Sequence, residues 1–249
     1  MKPRAVVWAM LGLLYVWQGA AWGLNRPVLP APWPVLQVLI QDFPHELGHH
    51  LWVSAYRVLV SIGLAIALAT PAGLVLGQSR RLNRIVAPFI YVLYPIPKVV
   101  LLPIVLLLLG VGDLAKITII TLILFFQVLV LVRDAAANIR PELLLSVRSL
   151  GAGRRALFRF VYLPASLPAV LTAVRQSIGT AVAVLYIAEL FATRYGLGYY
   201  IYYQGSTLFD YPRMYAGVLM MGLLGLGLYF AVDALEQHVC PWCGQRGPR

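Results

Sequence analysis

The chain has 249 residues, of which 61% are hydrophobic and only 12% charged. A soluble domain averages about 25% charged residues, so this balance excludes an ordinary water-soluble enzyme and indicates a polytopic membrane protein built as one unit, residues 1–249. The formal net charge of +11 does not mark a nucleic-acid binder, because the basic residues gather at the ends of apolar runs.

A helix needs about 20 apolar residues to cross the hydrocarbon core. Only helices or closed barrels satisfy their backbone there. Six segments reach or approach that length, and the fold class expected is all-α with six transmembrane helices. The first runs from about Ala5 to Trp22, and an outer loop follows to residue 50. The second runs from about Leu51 to Leu76. The third, Ala87 to Leu109, is interrupted by prolines. The fourth runs from Ala115 to Val132, the fifth from Ala169 to Phe191 and the sixth from Tyr215 to Val232. Residues 51–236 form the expected core and 237–249 a tail. The first segment also has the basic start and small residues of a signal peptide. It is expected as an anchor, because its loss leaves five helices and a poorer charge pattern.

Lysine and arginine in short loops set orientation. With the N-terminus inside, the inner segments hold Lys2, Arg4, Arg80, Arg81, Arg84, the arginines between residues 133 and 159, Arg246 and Arg249. The outer ones hold Arg26, Arg194 and Arg213, with Arg57 and Lys116 at helix edges. Both termini are therefore expected in the cytoplasm.

The third span carries Pro88, Pro95, Pro97 and Pro103, with Lys98 near its middle. Interior prolines remove helix hydrogen bonds. Such breaks persist at membrane depth against protein or a water-filled cavity. A central lysine costs at least ~2.5 kcal/mol unless it meets water or a partner. Tyr94 and Lys98 are thus expected to line or brace a cavity with the fifth span. Lys98 either offers its charge to an anionic solute or snorkels as a structural residue. Glu189, near the outer end of the fifth span, is either an intramembrane carboxylate and a pathway candidate or an interfacial residue that stays wet. The following Arg194-Tyr195-Gly196-Leu197-Gly198-Tyr199 stretch is too short to cross the bilayer. It is expected as an interfacial or re-entrant helix beside Glu189, with Gly196, Gly198 and Tyr199 at an outer gate. Small residues in the second span (Gly63, Ala65, Ala67, Ala69) and the sixth (Gly217, Gly222, Gly225, Gly227) permit close helix packing.

Two metal-like motifs occur. His45-Glu46-Leu47-Gly48-His49 fits the H-E-x-x-H zinc pattern, in which two histidines bind metal and the glutamate serves as base. Here Pro44 and Gly48 disturb it and it falls in the outer loop. It is expected as a polar lead-in, with His50, Trp52 and Arg57 at the headgroups, and no metal site is assigned. Cys240-Pro241-Trp242-Cys243 supplies half of a four-cysteine site. It is expected as reduced thiols in a cytoplasmic tail. No G-x-x-x-x-G-K-[ST] loop is present, so the chain itself is no ATPase.

Between the fourth and fifth spans lies Ser146-Val147-Arg148-Ser149-Leu150-Gly151-Ala152-Gly153-Arg154-Arg155-Ala156-Leu157-Phe158-Arg159-Phe160-Val161-Tyr162-Leu163-Pro164. Its arginines keep it out of hydrocarbon, while its apolar pattern is helical. Gly151, with Val161, Leu163 and Pro164 at their spacings, resembles the coupling-loop signature of ABC importer permeases, although its acidic residue is replaced by Leu145. His50-Leu51-Trp52-Val53-Ser54 with Arg57 and Tyr94-Pro95-Ile96-Pro97-Lys98 resemble the nitrate/sulfonate/taurine branch. Gly110-Val111-Gly112-Asp113 with Lys116, and Ala188-Glu189 with Gly196-Leu197-Gly198-Tyr199, do so too.

The resemblance implies a type I importer permease in the bacterial cytoplasmic (inner) membrane. It implies a homodimer with two copies of a cytoplasmic ABC ATPase, which carry ATP and Mg, and a periplasmic or lipid-anchored substrate-binding protein. Val147, Leu150 and Phe158 are expected to enter a groove on the ATPase. Arg148, Arg155 and Arg159 are expected to meet its acidic rim, with Gly151 and Pro164 shaping the loop. The solute is expected to be a small anion, such as a sulfonate or nitrate, or a vitamin precursor. The alternatives are an intramembrane zinc metalloprotease using His45, Glu46 and His49, or an ion-coupled secondary transporter.

Overall fold

The structure, a computed structural model, describes residues 3–240 and, within its helices, the side chains other than those of residues 3–7, 9, 10 and 154. Lys2, the Arg154 side chain and the tail residues Cys243, Arg246 and Arg249 lie outside the described parts. Among the described residues every regular element is helical and there is no strand.

Helix α1 spans Pro3–Leu24, α2 Pro32–Asp42 and α3 Gly48–Gln78. A π-turn at Phe43–Leu47 joins α2 to α3, so helical backbone runs from residue 32 to 78. This corrects the expected outer loop. The Gly48 N–H reaches back five residues to the Phe43 carbonyl rather than four to that of Pro44. A side chain at Gly48 would collide with that carbonyl.

Helix α4 spans Arg80–Leu93, capped by Ser79 Oγ, which accepts from the Leu82 N–H at 3.3 Å. A 3₁₀ turn at Lys98–Leu101 leads into α5, Leu102–Leu109. The two arms of this third span meet at a 79° bend. Pro88 is accommodated within α4 and Pro103 starts α5. The break falls at Pro95-Ile96-Pro97, where two rings two residues apart leave the helix no way to continue.

Helix α6 spans Asp113–Ala137, α7 Pro141–Ser149 and α8 Arg154–Leu157, followed by a π-turn at Phe158–Tyr162. Helix α9 spans Leu163–Leu190, α10 Leu197–Tyr202 with a π-turn to Thr207, and α11 Tyr211–Val239. Among the described residues, four helical stretches are long and apolar enough to cross a membrane, and a fifth if the bent pair is one span. Many large apolar side chains remain exposed, including Trp22, Tyr91, Leu107 and Leu108. On a water-soluble surface such a density is unfavourable, whereas lipid covers it without cost.

The chain divides into two compact units, Met1–Ala55 with Glu189–Leu224, and Tyr56–Ala188 with Gly225–Arg249. The core of the second is Ala69, Leu74, Leu76, Ile90, Val128, Leu129, Val132 and Ala136 with Val170, Ala173 and Val174. Here α3 and α6 approach at two glycines. A Cβ on Gly73 would lie 2.9 Å from Val132 Cβ, and one on Gly77 would lie 2.6 Å from Ala136 Cβ and from the Arg133 carbonyl. This close approach lies about three to four turns beyond Gly63, where a Cβ would meet open space.

Candidate functional site

In the first unit the short helix α10 is held at its N-terminus by side chains from two other helices. The first N–H groups of any helix lack intrahelical acceptors. Here three in succession are satisfied: Gly196 N–H donates to His50 Nδ1 at 2.9 Å, Leu197 N–H to Ser54 Oγ at 2.8 Å and Gly198 N–H to Glu189 Oε2 at 2.8 Å. The Ser54 hydroxyl in turn donates to Glu189, with Oε1 at 2.8 Å and Oε2 at 2.9 Å. His50 and Ser54 are four residues apart and so share one face of α3. Gly196 carries φ +124°, a conformation that disfavours any side chain. The short helix is thus where the sequence predicts it, beside Glu189. Its Leu197, Gly198, Tyr200 and Ile201 are buried.

The other end of this packing is polar too. Tyr200 donates its hydroxyl to Asp42 Oδ2 at 2.7 Å, and Arg213 Nε reaches the same oxygen at 3.2 Å. Burial, and then the Asp42 carboxylate, push the Tyr200 phenol above its usual range and keep it protonated. Gly217 of α11 admits Tyr200 and Ile201, since a Cβ there would lie 2.8 Å from Ile201 Cγ1. Beside α10 is a cavity of about 350 Å³ lined by His45, Glu46, His49, His50, Arg194, Tyr195, Tyr199, Tyr200, Tyr203 and Gln204. Tyr199 and Tyr203 stack with ring centroids 5.6 Å apart. The H-E-x-x-H motif therefore sits on helical backbone, not in a loop. Among the described residues, no group of three metal-ligating side chains converges.

His50 and Arg57 are enclosed by protein. His50 is buried, and Arg57 is only 3% exposed, whereas Trp52 does stay exposed. Arg57 turns inward because Asp113 offers it an acceptor at the start of α6, at 2.6 Å from Nη2. Lys116 lies in the first turn of α6, at a helix edge as expected, and is buried there, with Nζ 3.4 Å from the Gly112 carbonyl. Arg175 pairs with Asp233 at 3.2 Å and with Glu236 of α11.

In the second unit a cavity of about 320 Å³ lies against the broken span. Its wall is Tyr94 to Val99 from the break, Ile123, Phe126 and Gln127 from α6, and Thr180 and Val184 from α9. Lys98 Nζ donates to the carbonyls of Leu93 at 2.9 Å, Tyr94 at 3.0 Å and Ile96 at 3.2 Å. It also sits 4.5 Å from the centroid of the Phe126 ring. The Leu93 and Tyr94 carbonyls are acceptors that the end of α4 leaves open, and that of Ile96 lies in the break. The ammonium has three hydrogens, and the break takes all of them. Gln127 Nε2 approaches Thr180 Oγ1 at 3.5 Å on the same wall.

The loop between α6 and α9 closes α7 with a left-handed Gly151, φ +80°. Gly151 N–H donates to the Arg148 carbonyl at 2.9 Å and Ala152 N–H to that of Val147 at 3.4 Å, the paired bonds of a Schellman stop. Leu150 is 85% exposed, and Arg148, Arg155 and Arg159 are exposed. Val147, expected on the outward side, instead packs on Leu157, Val161 and Tyr162. Phe158 is partly buried against the core of the second unit. The Gly151 turn folds α7 back on the π-turn, which draws both apolar side chains inward. Pro164 follows the π-turn near the start of α9, within helical backbone that runs from residue 155 to 190.

Ser54, Asp42 and the Gly73–Gly77 pair were not singled out as functional or packing residues from sequence. The readable signals were polar residues four apart on an apolar helix, and small residues four apart from Ala69 to Gly77.

Comparison with known proteins places this architecture. The chain is 30% identical to the taurine transport system permease protein TauC of Escherichia coli (strain K12) over 236 residues, 92% of this chain and 86% of that one. It is 27% identical to the formylaminopyrimidine transport permease protein ThiX of Halalkalibacterium halodurans over 233 residues, 93% of each. An inward-facing structure of the MetNI methionine ABC transporter superposes with a TM-score of 0.69 at 23% identity, covering 78% of this chain and 95% of that one. Residues 61–241 match the family described as the binding-protein-dependent transport system inner membrane component. With its membrane-length helices and this match, the chain belongs to that family and is an integral membrane ABC permease.

Proposed function

We propose that the chain is the permease of an ATP-driven importer. Six spans place both termini in the cytoplasm, and two copies of the chain join two ABC ATPases and a substrate-binding protein. The observation that carries this reading is the loop from Pro141 to Pro164. It presents Leu150 and three arginines outward on a turn fixed by Gly151, a rigid basic and apolar knob suited to a groove with acidic edges. ATP and Mg act on the partner chain. Domain closure there rocks the permease between two packings.

The solute is proposed to be a small anion such as a sulfonate, or a vitamin precursor, delivered by the binding protein. The names of TauC and ThiX support that range. Tyr94 and Lys98 border the proposed pathway. Glu189, Gly196, Gly198 and Tyr199 belong to the proposed outer gate.

The test is Gly151→Val in the reconstituted permease, ATPase and binding protein. A valine resists φ +80°, so the knob is displaced. Solute-stimulated ATP hydrolysis is expected to fall to the ATPase's basal level while the permease still inserts. Normal stimulation would overturn the reading.

A further inference from the structure

Glu189 is completely buried, although an intramembrane carboxylate ordinarily invites a reading as a solute or ion site. Its geometry says otherwise. Oε1 accepts from Ser54, and Oε2 accepts from Ser54 and from the Gly198 backbone. Ser54 uses its one hydrogen on Glu189 and its oxygen on Leu197 N–H. The serine therefore relays the acceptor power of the carboxylate to a second amide. His50 takes the third amide through Nδ1, so a neutral imidazole carries its proton on Nε2.

All three side chains face the opening turn of one short helix, which cannot hold itself in place by its own hydrogen bonds. That helix in turn presents Tyr199, whose ring stacks on Tyr203 along the wall of the adjoining cavity.

We propose that Glu189, Ser54 and His50 are positioning residues for transport: they seat α10 and so fix the Tyr199–Tyr203 wall, and Glu189 contacts no solute. The proposal deepens the importer reading but is tested independently of it. The full-length chain carries Ile201→Cys, with Cys240 and Cys243 changed to serine. Ile201 is buried in the seated helix, so its thiol reports release.

In membrane vesicles without ATPase or solute, this cysteine is expected to react slowly with a water-soluble maleimide. Glu189→Ala and Ser54→Ala are each expected to speed the reaction by about tenfold or more, because local opening sets access. Ser54→Thr keeps the hydroxyl and His50→Asn keeps an acceptor near the Nδ1 position, so both are expected to stay slow. Should Glu189→Ala fail to insert, the Ser54→Ala and Ser54→Thr pair decides alone.

In the assembled importer, Glu189→Ala is expected to lower the maximal uptake rate without moving the half-saturating solute concentration. Unchanged labelling in Glu189→Ala or Ser54→Ala would overturn the proposal. So would a raised half-saturation with α10 still seated.

Discussion

Arg57 and Asp113 are joined by two hydrogen bonds to one oxygen, 2.8 Å from Nε and 2.6 Å from Nη2. They tie the N-terminal third of α3 to the first residue of α6. Asp113 also carries its negative charge in the first turn of α6, where the helix dipole favours it. The arginine is almost fully buried while the aspartate is half exposed. Asp113→Asn is expected to destabilise the chain by about 1–3 kcal/mol, less than the ~3–5 kcal/mol of a fully buried pair, because water still reaches the aspartate. Equilibrium unfolding in mild detergent measures it. Stability equal to the parent would show that Arg57 finds an equivalent acceptor.

The α3–α6 contact at Gly77 leaves no room for a side chain. Gly77→Val forces the helices apart and is expected to cost about 1–3 kcal/mol by overpacking. Gly63→Ala, on the open part of the same helix, is expected to be neutral or to gain up to about 1 kcal/mol through helix propensity. Comparison of the two unfolding midpoints checks the contrast. Equal effects would place the close approach elsewhere.

Lys98 ends α4 as a clip. Lys98→Met keeps the stem and removes the three bonds to the Leu93, Tyr94 and Ile96 carbonyls. Each such bond contributes about 0.5–1.5 kcal/mol net, so the bend is expected to loosen. Maximal uptake is expected to drop several-fold with the half-saturating concentration unchanged, for charged and neutral solutes alike. Lys98→Arg is expected to recover part of the rate. A rise in half-saturation confined to anions would restore the role of Lys98 as a solute charge.

Composition and apolar run length alone determined that this chain is a helical membrane protein, because lipid offers the backbone no partner. Proline spacing located the break in the third span, and Gly151 located a turn, since both residues act on their own backbone. What lay between distant residues was decided only by tertiary structure. Nothing local to His50, Ser54 or Glu189 says that one short helix will draw all three to consecutive amides. Nothing local to Arg57 says that it will pair with Asp113. Val147 and Phe158 turned inward for the same reason: an apolar side chain goes to whichever surface the fold brings near. Helical periodicity fixes which residues share a face, but only packing determines what that face meets.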